Sequence, residues 1–95
     1  MSESAISLTN IPRVSPMFRF QWEEAQACHV LLYPEGMVKL SGSAGEILQL
    51  VNGKSTVGEI IAALKEKFPG APLDNDVLNF LEAAYGHGWL RSVDD

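Results

Sequence analysis

A cysteine and a histidine stand side by side at Cys28 and His29, and this pair is the first candidate for nucleophilic catalysis. A cysteine attacks as a thiolate, which needs a nearby base and a positive environment. The residues around the pair are typical of a β-strand, whose neighbouring side chains point to opposite faces of a sheet. Because His29 would point away from the thiol, the sequence favours a buried, structural Cys28 over a catalytic one.

Histidine and cysteine are also common ligands of transition metals. The two histidines, His29 and His87, form no His-x-x-x-His or Glu-x-x-His pair. A single cysteine excludes metal sites of the clustered-cysteine kind, and it also excludes an internal disulfide. His87 stands between two glycines, a pattern that is typical of a helix end. We therefore expect no metal site in this chain.

Two pairs of acids, Glu23 with Glu24 and Asp74 with Asp76, are the remaining candidates for general acid–base catalysis. Such catalysis needs carboxylates that converge in a pocket and have shifted pKa values. These pairs fall at the end of a predicted strand and at the start of a predicted helix, where water and the helix dipole account for their charge. We therefore expect a protein that is not an enzyme and that holds no cofactor.

The composition limits the chain to one small folded domain with an acidic balance. Its 95 residues are 46% hydrophobic and 20% charged, which are values of a globular protein. Seven basic residues against twelve acidic ones give a net charge of −5, which disfavours binding to nucleic acid. No stretch is long enough for a membrane span, and residues 1–10 lack the features of a signal peptide. We therefore expect a cytoplasmic protein that contacts no membrane.

The elements that must position any site begin with a three-stranded antiparallel sheet over residues 18–40. Apolar and polar residues alternate from Phe18 to Glu23, which predicts a half-buried strand. Residues 28–33 are apolar on both faces, as in a strand that is covered on two sides. Pro34-Glu35-Gly36 predicts a turn, and residues 37–40 predict a short third strand.

Three short helices are predicted after the sheet. Capping boxes at Ser43–Glu46 and Thr56–Glu59 predict the starts of the first two, because the first side chain binds a free amide and the glutamate reaches back. Asn52-Gly53 ends the first helix. The third helix starts near Asp74 and ends at Gly86-His87-Gly88, after which Trp89-Leu90 could form a final strand. This order predicts an α+β fold that is winged-helix-like, a three-stranded antiparallel sheet followed by a three-helix bundle.

Two features of this fold exceed what a core requires. The apolar residues of the third helix cover an arc of roughly 160°, although ~100° is enough for one core contact. The third strand leaves one edge without an obvious partner. A strand edge beside an apolar helix face can bind an extended peptide, but burial in the monomer or in a homodimer explains the two features equally well. The absence of Lys and Arg from Leu73 to Tyr85 disfavours a winged-helix DNA-binding protein.

Short motifs also follow one another in an order that resembles a known family. The longest is Val30-Leu31-Leu32-Tyr33-Pro34-Glu35-Gly36-Met37-Val38-Lys39-Leu40, and it is followed by Ser43–Leu48, Asn52-Gly53, Thr56–Ile60, Asp76-Val77 with Phe80-Leu81, and Gly88-Trp89-Leu90. No single motif is specific, but the ordered set from Pro12 to Leu90 resembles the PqqD family of pyrroloquinoline quinone biosynthesis proteins. The chain departs from the family pattern at Ser41, at Val51–Gly53 and in the first hairpin tip, Glu24–Ala27.

The resemblance implies a peptide chaperone, or recognition element, for ribosomally made and modified peptides. Such a protein would bind the precursor peptide PqqA and present it to the radical-SAM enzyme PqqE; a recognition element for another modified peptide is the alternative. In the family the peptide adds as a strand beside the third strand and packs on the third helix. The expected peptide-binding residues are therefore Met37, Val38, Lys39, Leu40, Leu78, Leu81 and Tyr85, and Lys39 is also a candidate partner for an acid on the peptide.

The first residues of the chain predict a separate segment. Residues 1–16 are small, polar and broken by Pro12 and Pro16, so we predict a flexible N-terminal arm over 1–16 and a peptide-recognition domain over 17–95. An arm beside a short, partly open sheet would permit strand exchange between two chains. A strand-swapped homodimer is therefore a further expectation.

Overall fold

The computed structural model describes residues 7–93, which contain five strands and three helices. In chain order these are β1 (Pro12–Val14), β2 (Arg19–Glu23), β3 (Cys28–Tyr33), β4 (Gly36–Lys39), α1 (Gly42–Gln49), α2 (Val57–Lys67), α3 (Asp74–Gly86) and β5 (Leu90–Ser92). The strands form a two-stranded sheet of β1 and β5 and a three-stranded sheet in the order β2-β3-β4. Within the described range, no helix has the length and apolar character that crossing a membrane requires.

The three-stranded sheet confirms the prediction for residues 18–40. Its strands are antiparallel, and the register places Phe20 opposite Leu31 and Leu31 opposite Val38. Directly opposed residues share a face of the sheet, so these three side chains form one row, which packs against the helices. β4 begins at Gly36 and ends before Leu40, one residue earlier at each end than predicted.

The core lies between this face of the sheet and the helices. Its buried residues are Leu31, Leu40, Ala44, Ile47, Leu48, Val51, Val57, Ile60, Ile61, Leu64, Val77, Leu81, Ala84 and Leu90. Gly45 lets α1 lie close to β3, because a Cβ atom there would stand 2.8 Å from Nδ1 of His29.

Cys28 is partly buried, which corrects the prediction of a buried cysteine. The reason is its place at the end of β3, opposite Glu23.

Two helix starts test the predicted capping boxes. In α2 the prediction is confirmed: Glu59 N donates to Thr56 Oγ1 at 3.1 Å, and Thr56 N donates to Glu59 Oε1 at 2.8 Å. In α1 the prediction is wrong, because the helix begins two residues earlier than predicted and its N-cap is Ser41, not Ser43. Ala44 N donates to Ser41 Oγ at 3.2 Å, so Ser43 already lies inside the helix.

The described part of the predicted arm, residues 7–16, contacts the folded chain. β1 pairs with β5 in antiparallel register, with Val14 opposite Leu90, so Trp89-Leu90 leads into a final strand as expected. Val57 N donates to Asn10 O at 2.8 Å, and Gly58 N donates to Leu8 O at 2.9 Å. These bonds satisfy two free amides at the start of α2. Residues 1–6 of the predicted arm lie outside the described residues, and the mobility of the arm stays a prediction.

Candidate functional site

The free edge of β4 is the first component of the candidate site. Leu40 N donates to His29 O at 3.0 Å, and the register then makes Val38 and Gly36 the β4 residues that bond to β3. In an antiparallel sheet alternate residues turn their backbone groups to opposite sides. Met37 and Lys39 therefore direct their N–H and C=O groups away from β3, where no described strand pairs with them.

The side chains of β4 divide between the two faces of the sheet. Val38 is partly buried against the core, and the following Leu40 is buried in it. Met37 and Lys39 lie on the opposite face and are exposed, with 38% of Met37 accessible to solvent. The strand thus keeps a fixed position through alternate side chains, while its outer backbone groups remain accessible to a partner.

An apolar groove of about 580 Å³ begins where β4 ends. It lies between the start of α1, the last turn of α2 and the first half of α3. Its apolar lining consists of Ala44, Ile47, Leu64, Phe68, Ala71, Leu73, Val77 and Phe80, and its polar lining of Ser41, Gly42, Ser43, Glu46 and Asp76. Phe68 at the end of α2 is 40% exposed, so part of its ring is accessible from the groove.

Ion pairs join the helices that form the groove. Lys67 Nζ lies 2.5 Å from Glu46 Oε1 and connects α2 with α1. Lys65 Nζ lies 2.8 Å from Asp74 Oδ1 and connects α2 with α3. The hydrogen bond from Lys65 lowers the pKa of Asp74 below its ordinary value of 3.8. Lys65, Asp74 and Lys67 are exposed and Glu46 is partly exposed, so water and salt screen both pairs and each contributes little to stability.

The wide apolar arc of α3 separates into two sides around a buried centre. Leu81 is at the centre and is fully buried in the core. On one side Tyr85 donates from its hydroxyl to Asn10 Oδ1 at 2.5 Å, which ties α3 to the N-terminal segment. On the other side Phe80 lines the groove. Leu78 and Phe80, two residues apart, are separated by roughly 160° around the helix.

The structure therefore places the seven predicted site residues in three settings. Met37 and Lys39 are on the open edge, Val38, Leu40 and Leu81 contribute to the core, and Leu78 and Tyr85 are partly buried against it. None of the seven belongs to the groove lining among the described residues. The sequence analysis did not assign Phe68, Leu73, Asp76 or Phe80 to the peptide site; the spacing of Leu73, Val77 and Phe80 on one helix face was the available signal.

Both histidines stack on or meet the edges of neighbouring aromatic rings. His29 stacks on Phe20 at a centroid distance of 4.9 Å and meets the edge of Trp22 at 5.0 Å. His87 stacks on Trp89 at 4.9 Å, and its backbone N–H caps α3 by donating to Ala83 O, as its position between glycines predicted. Among residues 7–93, no group of three or more histidine, cysteine or acidic side chains could hold a metal ion.

Comparison with known proteins relates this arrangement to one family. A family model described as Coenzyme PQQ synthesis protein D (PqqD) matches residues 28–90. A "PqqA binding protein" of Pseudomonas aeruginosa (strain UCBPP-PA14) is 58% identical over 86 residues, which cover 90% of this chain and 94% of the relative. The "PqqA binding protein" of Azotobacter vinelandii is 53% identical over 92 residues, covering 96% of this chain and 98% of the relative.

A solved structure extends the comparison to the fold. It is the solution NMR structure of the PqqD truncation of Methylobacterium extorquens PqqCD, described as a functional and stand-alone recognition element for ribosomally synthesized and post-translationally modified peptides. The TM-score is 0.75 at 30% sequence identity, and the match covers 92% of this chain and 95% of that one. The resemblance inferred from the ordered motifs is therefore confirmed, and the chain belongs to the PqqD family.

Proposed function

We propose that this chain is a peptide chaperone of pyrroloquinoline quinone biosynthesis, which binds the precursor peptide PqqA and presents it to the radical-SAM enzyme PqqE. The observation that carries the proposal is the open edge of β4, which leads directly into an apolar groove. Relatives of matching length are named PqqA binding proteins, which supports the same partner. A binding role also suits a site without converging acid, base and nucleophile.

The first step of binding would be the addition of the peptide as a strand beside β4. Met37 and Lys39 each offer one N–H and one C=O to such a strand. Backbone hydrogen bonds of this kind are independent of the peptide's sequence and contribute about 0.5–1.5 kcal/mol each. They would supply affinity and fix the direction of the peptide, while its side chains would supply specificity.

The second step would be the insertion of an apolar peptide side chain into the groove. Side chains of an added strand alternate between the two faces of the sheet, so every second one points towards the helices. Phe68 and Phe80 provide aromatic surface there, from α2 and α3. Burial of one Leu- or Phe-sized side chain stabilises a complex by about 1.5–3 kcal/mol.

We assign the seven residues predicted from the sequence to different tasks in this site. Met37 and Lys39 would contact the peptide, and the exposed Lys39 ammonium could pair with a peptide carboxylate. Val38 and Leu40 would hold β4 in place through the core. Leu78, Leu81 and Tyr85 would fix α3 from its buried side, so that Phe80 faces the groove. Their contribution to binding would then be indirect.

We infer a winged-helix-like arrangement in which α3 takes the position of the recognition helix. DNA binding is the less favoured use of such a fold, because Asp74, Asp76 and Glu82 place negative charge on this helix. A recognition element for another modified peptide would use the same edge and groove. We propose that the chain acts in the cytoplasm, away from nucleic acid and membranes.

We also retain the predicted arm and the predicted homodimer as proposals. Residues 1–16 would form an arm whose described part docks through β1, ahead of a recognition domain over 17–95. Because β1 pairs with β5 of the same chain, exchange of β1 between two chains would reproduce these contacts in a strand-swapped homodimer. Hydrogen exchange of the amides of residues 7–16 would test the mobility of the arm.

Calorimetric titration with a synthetic PqqA peptide tests the function directly. We expect saturable binding of one peptide per chain, and the absence of heat at several temperatures would contradict the proposal. Presentation to PqqE is tested separately by size-exclusion chromatography of the three components. A peptide-dependent ternary complex is expected, and a PqqE that binds peptide equally well without this chain would contradict a presenting role.

A further inference from the structure

The three-stranded sheet has a second open edge, on β2. No described strand pairs with the outer side of β2, and this edge lies at the opposite end of the sheet from β4. Trp22 stands on it with 50% of its surface exposed. An unpaired edge with an exposed aromatic side chain is a common place for strand pairing between chains.

The backbone of β2 presents two residues to that edge. The bond from Leu40 N to His29 O shows that the odd-numbered residues of β3 bond to β4. The even-numbered residues of β3 therefore bond to Arg19, Gln21 and Glu23 of β2, following the register. Phe20 and Trp22 are left with their N–H and C=O groups directed outward.

We propose that two copies of this chain associate through their β2 edges, in an antiparallel pairing centred on Gln21. In this register the backbone N–H and C=O groups of Phe20 in each chain bond to those of Trp22 in the other chain. The two-fold axis therefore relates two such hydrogen-bonded pairs. The two three-stranded sheets become one six-stranded sheet with a two-fold axis through Gln21. Such an interface is closed and uses the same surface on both chains.

The side chains of β2 complement themselves in this register. Arg19 stands opposite Glu23 of the second copy on the face away from the helices, and the reverse pair forms across the axis. Both are non-hydrogen-bonded positions, where opposed side chains are closest. A shift of two residues in either direction places Gln21 opposite Arg19 or Glu23 and removes both ion pairs. No described residue forms an ion pair with Arg19 or Glu23 within one chain.

The helix-facing side of β2 is complementary as well. Phe20 and Trp22 already contact His29, at centroid distances of 4.9 and 5.0 Å. In the pairing, Phe20 of each copy stands opposite Trp22 of the other, which extends the two ring clusters into one across the axis. Aromatic cross-strand pairs of this kind stabilise a sheet. The β4 edges and the grooves remain at the two outer ends, so the pairing does not compete with a peptide at β4.

Variants that reverse the charge of Arg19 or of Glu23 test the proposed register of the two β2 strands. Sedimentation of the full chain over a concentration series should show a reversible dimer, and either R19E or E23R alone should weaken it by roughly tenfold. The double exchange R19E/E23R should restore it. An equimolar mixture of the two single variants should form heterodimers in preference to homodimers, because every ion pair is then restored. Equal weakening in the double variant and the mixture would overturn the proposal.

A cross-link on the two-fold axis distinguishes edge pairing from strand exchange. Opposed Cα atoms at a non-hydrogen-bonded position lie about 4.5 Å apart, which is within the range of a disulfide. Q21C in a C28S background should oxidise to a covalent dimer, while K39C in the same background, on the same face at the other edge, should not. A dimer that persists while Q21C fails to cross-link, or a chain that stays monomeric at about 1 mM, would overturn the proposal.

Discussion

The two edges of the three-stranded sheet offer the same backbone groups in different surroundings. Beside β4, the edge continues into an apolar groove, and the strand itself is short, with one exposed cation, Lys39. Along β2, the polar residues Arg19, Gln21 and Glu23 alternate with the aromatic residues Phe20 and Trp22, and the two charged ends have opposite sign. An open strand edge alone therefore does not determine which partner it binds. We infer that the groove directs a peptide to β4, and that self-complementarity directs a second copy to β2.

The largest effect is expected at the groove. Replacement of Phe80 by Ala removes aromatic surface from its wall, so peptide affinity should fall by about 2 kcal/mol, or roughly thirtyfold, in calorimetry. Leu78→Ala is the matched control on the other side of α3. It should lower the melting temperature and leave peptide affinity unchanged. If Leu78→Ala weakens binding and Phe80→Ala does not, the peptide lies on the other side of the helix.

A proline at the β4 edge is expected to have the next largest effect. Lys39→Pro removes an outward N–H while the bonds between β4 and β3 remain, since an edge position of this kind tolerates proline. Peptide affinity should fall roughly tenfold, because one backbone bond and the space for the added strand are lost. Trp22→Pro makes the same backbone change at the β2 edge and should affect self-association instead. Loss of peptide binding in Trp22→Pro alone would reverse the assignment of the two edges.

A smaller effect is expected where β4 passes into α1. Ser41→Ala removes the side chain that accepts from Ala44 N, which should lower the free energy of unfolding by about 1 kcal/mol in urea denaturation. Ser43→Ala, two residues on, should change it much less. The opposite order would show that the helix starts at Ser43, as its spacing to Glu46 first predicted.

The smallest effect concerns the exposed pair between Lys65 and Asp74. Because this pair lowers the pKa of Asp74, its stabilisation is present above the ordinary value of 3.8 and is lost as the pH falls below it. Asp74→Asn should therefore lower the melting temperature slightly at neutral pH, and this decrease should become smaller as the pH falls through the lowered pKa of Asp74. Asp76→Asn on the same turn is the control. If the difference in melting temperature between Asp74→Asn and the unsubstituted chain grew towards low pH, the sign of this contribution would be wrong.

Local patterns predicted most of the sheet and the helices correctly. Alternation from Phe18 to Glu23 and the turn at Pro34–Gly36 determine the three strands, and the Thr56–Glu59 capping box forms as expected. The predicted cap of α1 is wrong because two serines, Ser41 and Ser43, lie close together at the start of the helix and either could act as its cap. The extended backbone that continues from β4 decides between them, and it carries Ser41 to the N-cap position.

The groove and the docking of the N-terminal segment depend on contacts between distant residues. Phe68 and Phe80 come together only when α2 and α3 pack, and periodicity within one helix cannot show which side of its apolar arc meets the core. The bond from Tyr85 to Asn10 joins opposite ends of the chain and explains part of that arc. Family resemblance pointed to β4 and α3, but the division of α3 into two sides required the structure.

The most direct test of the central claim is a titration of isotope-labelled chain with the PqqA peptide, followed by backbone amide NMR. Binding at the β4 edge and the groove predicts the largest shifts at Met37, Lys39, Ser41, Phe68 and Phe80. Phe20 and Trp22 on the β2 edge should shift little. Large shifts confined to β2 or to residues 7–16, with β4 and the groove unchanged, would contradict the account.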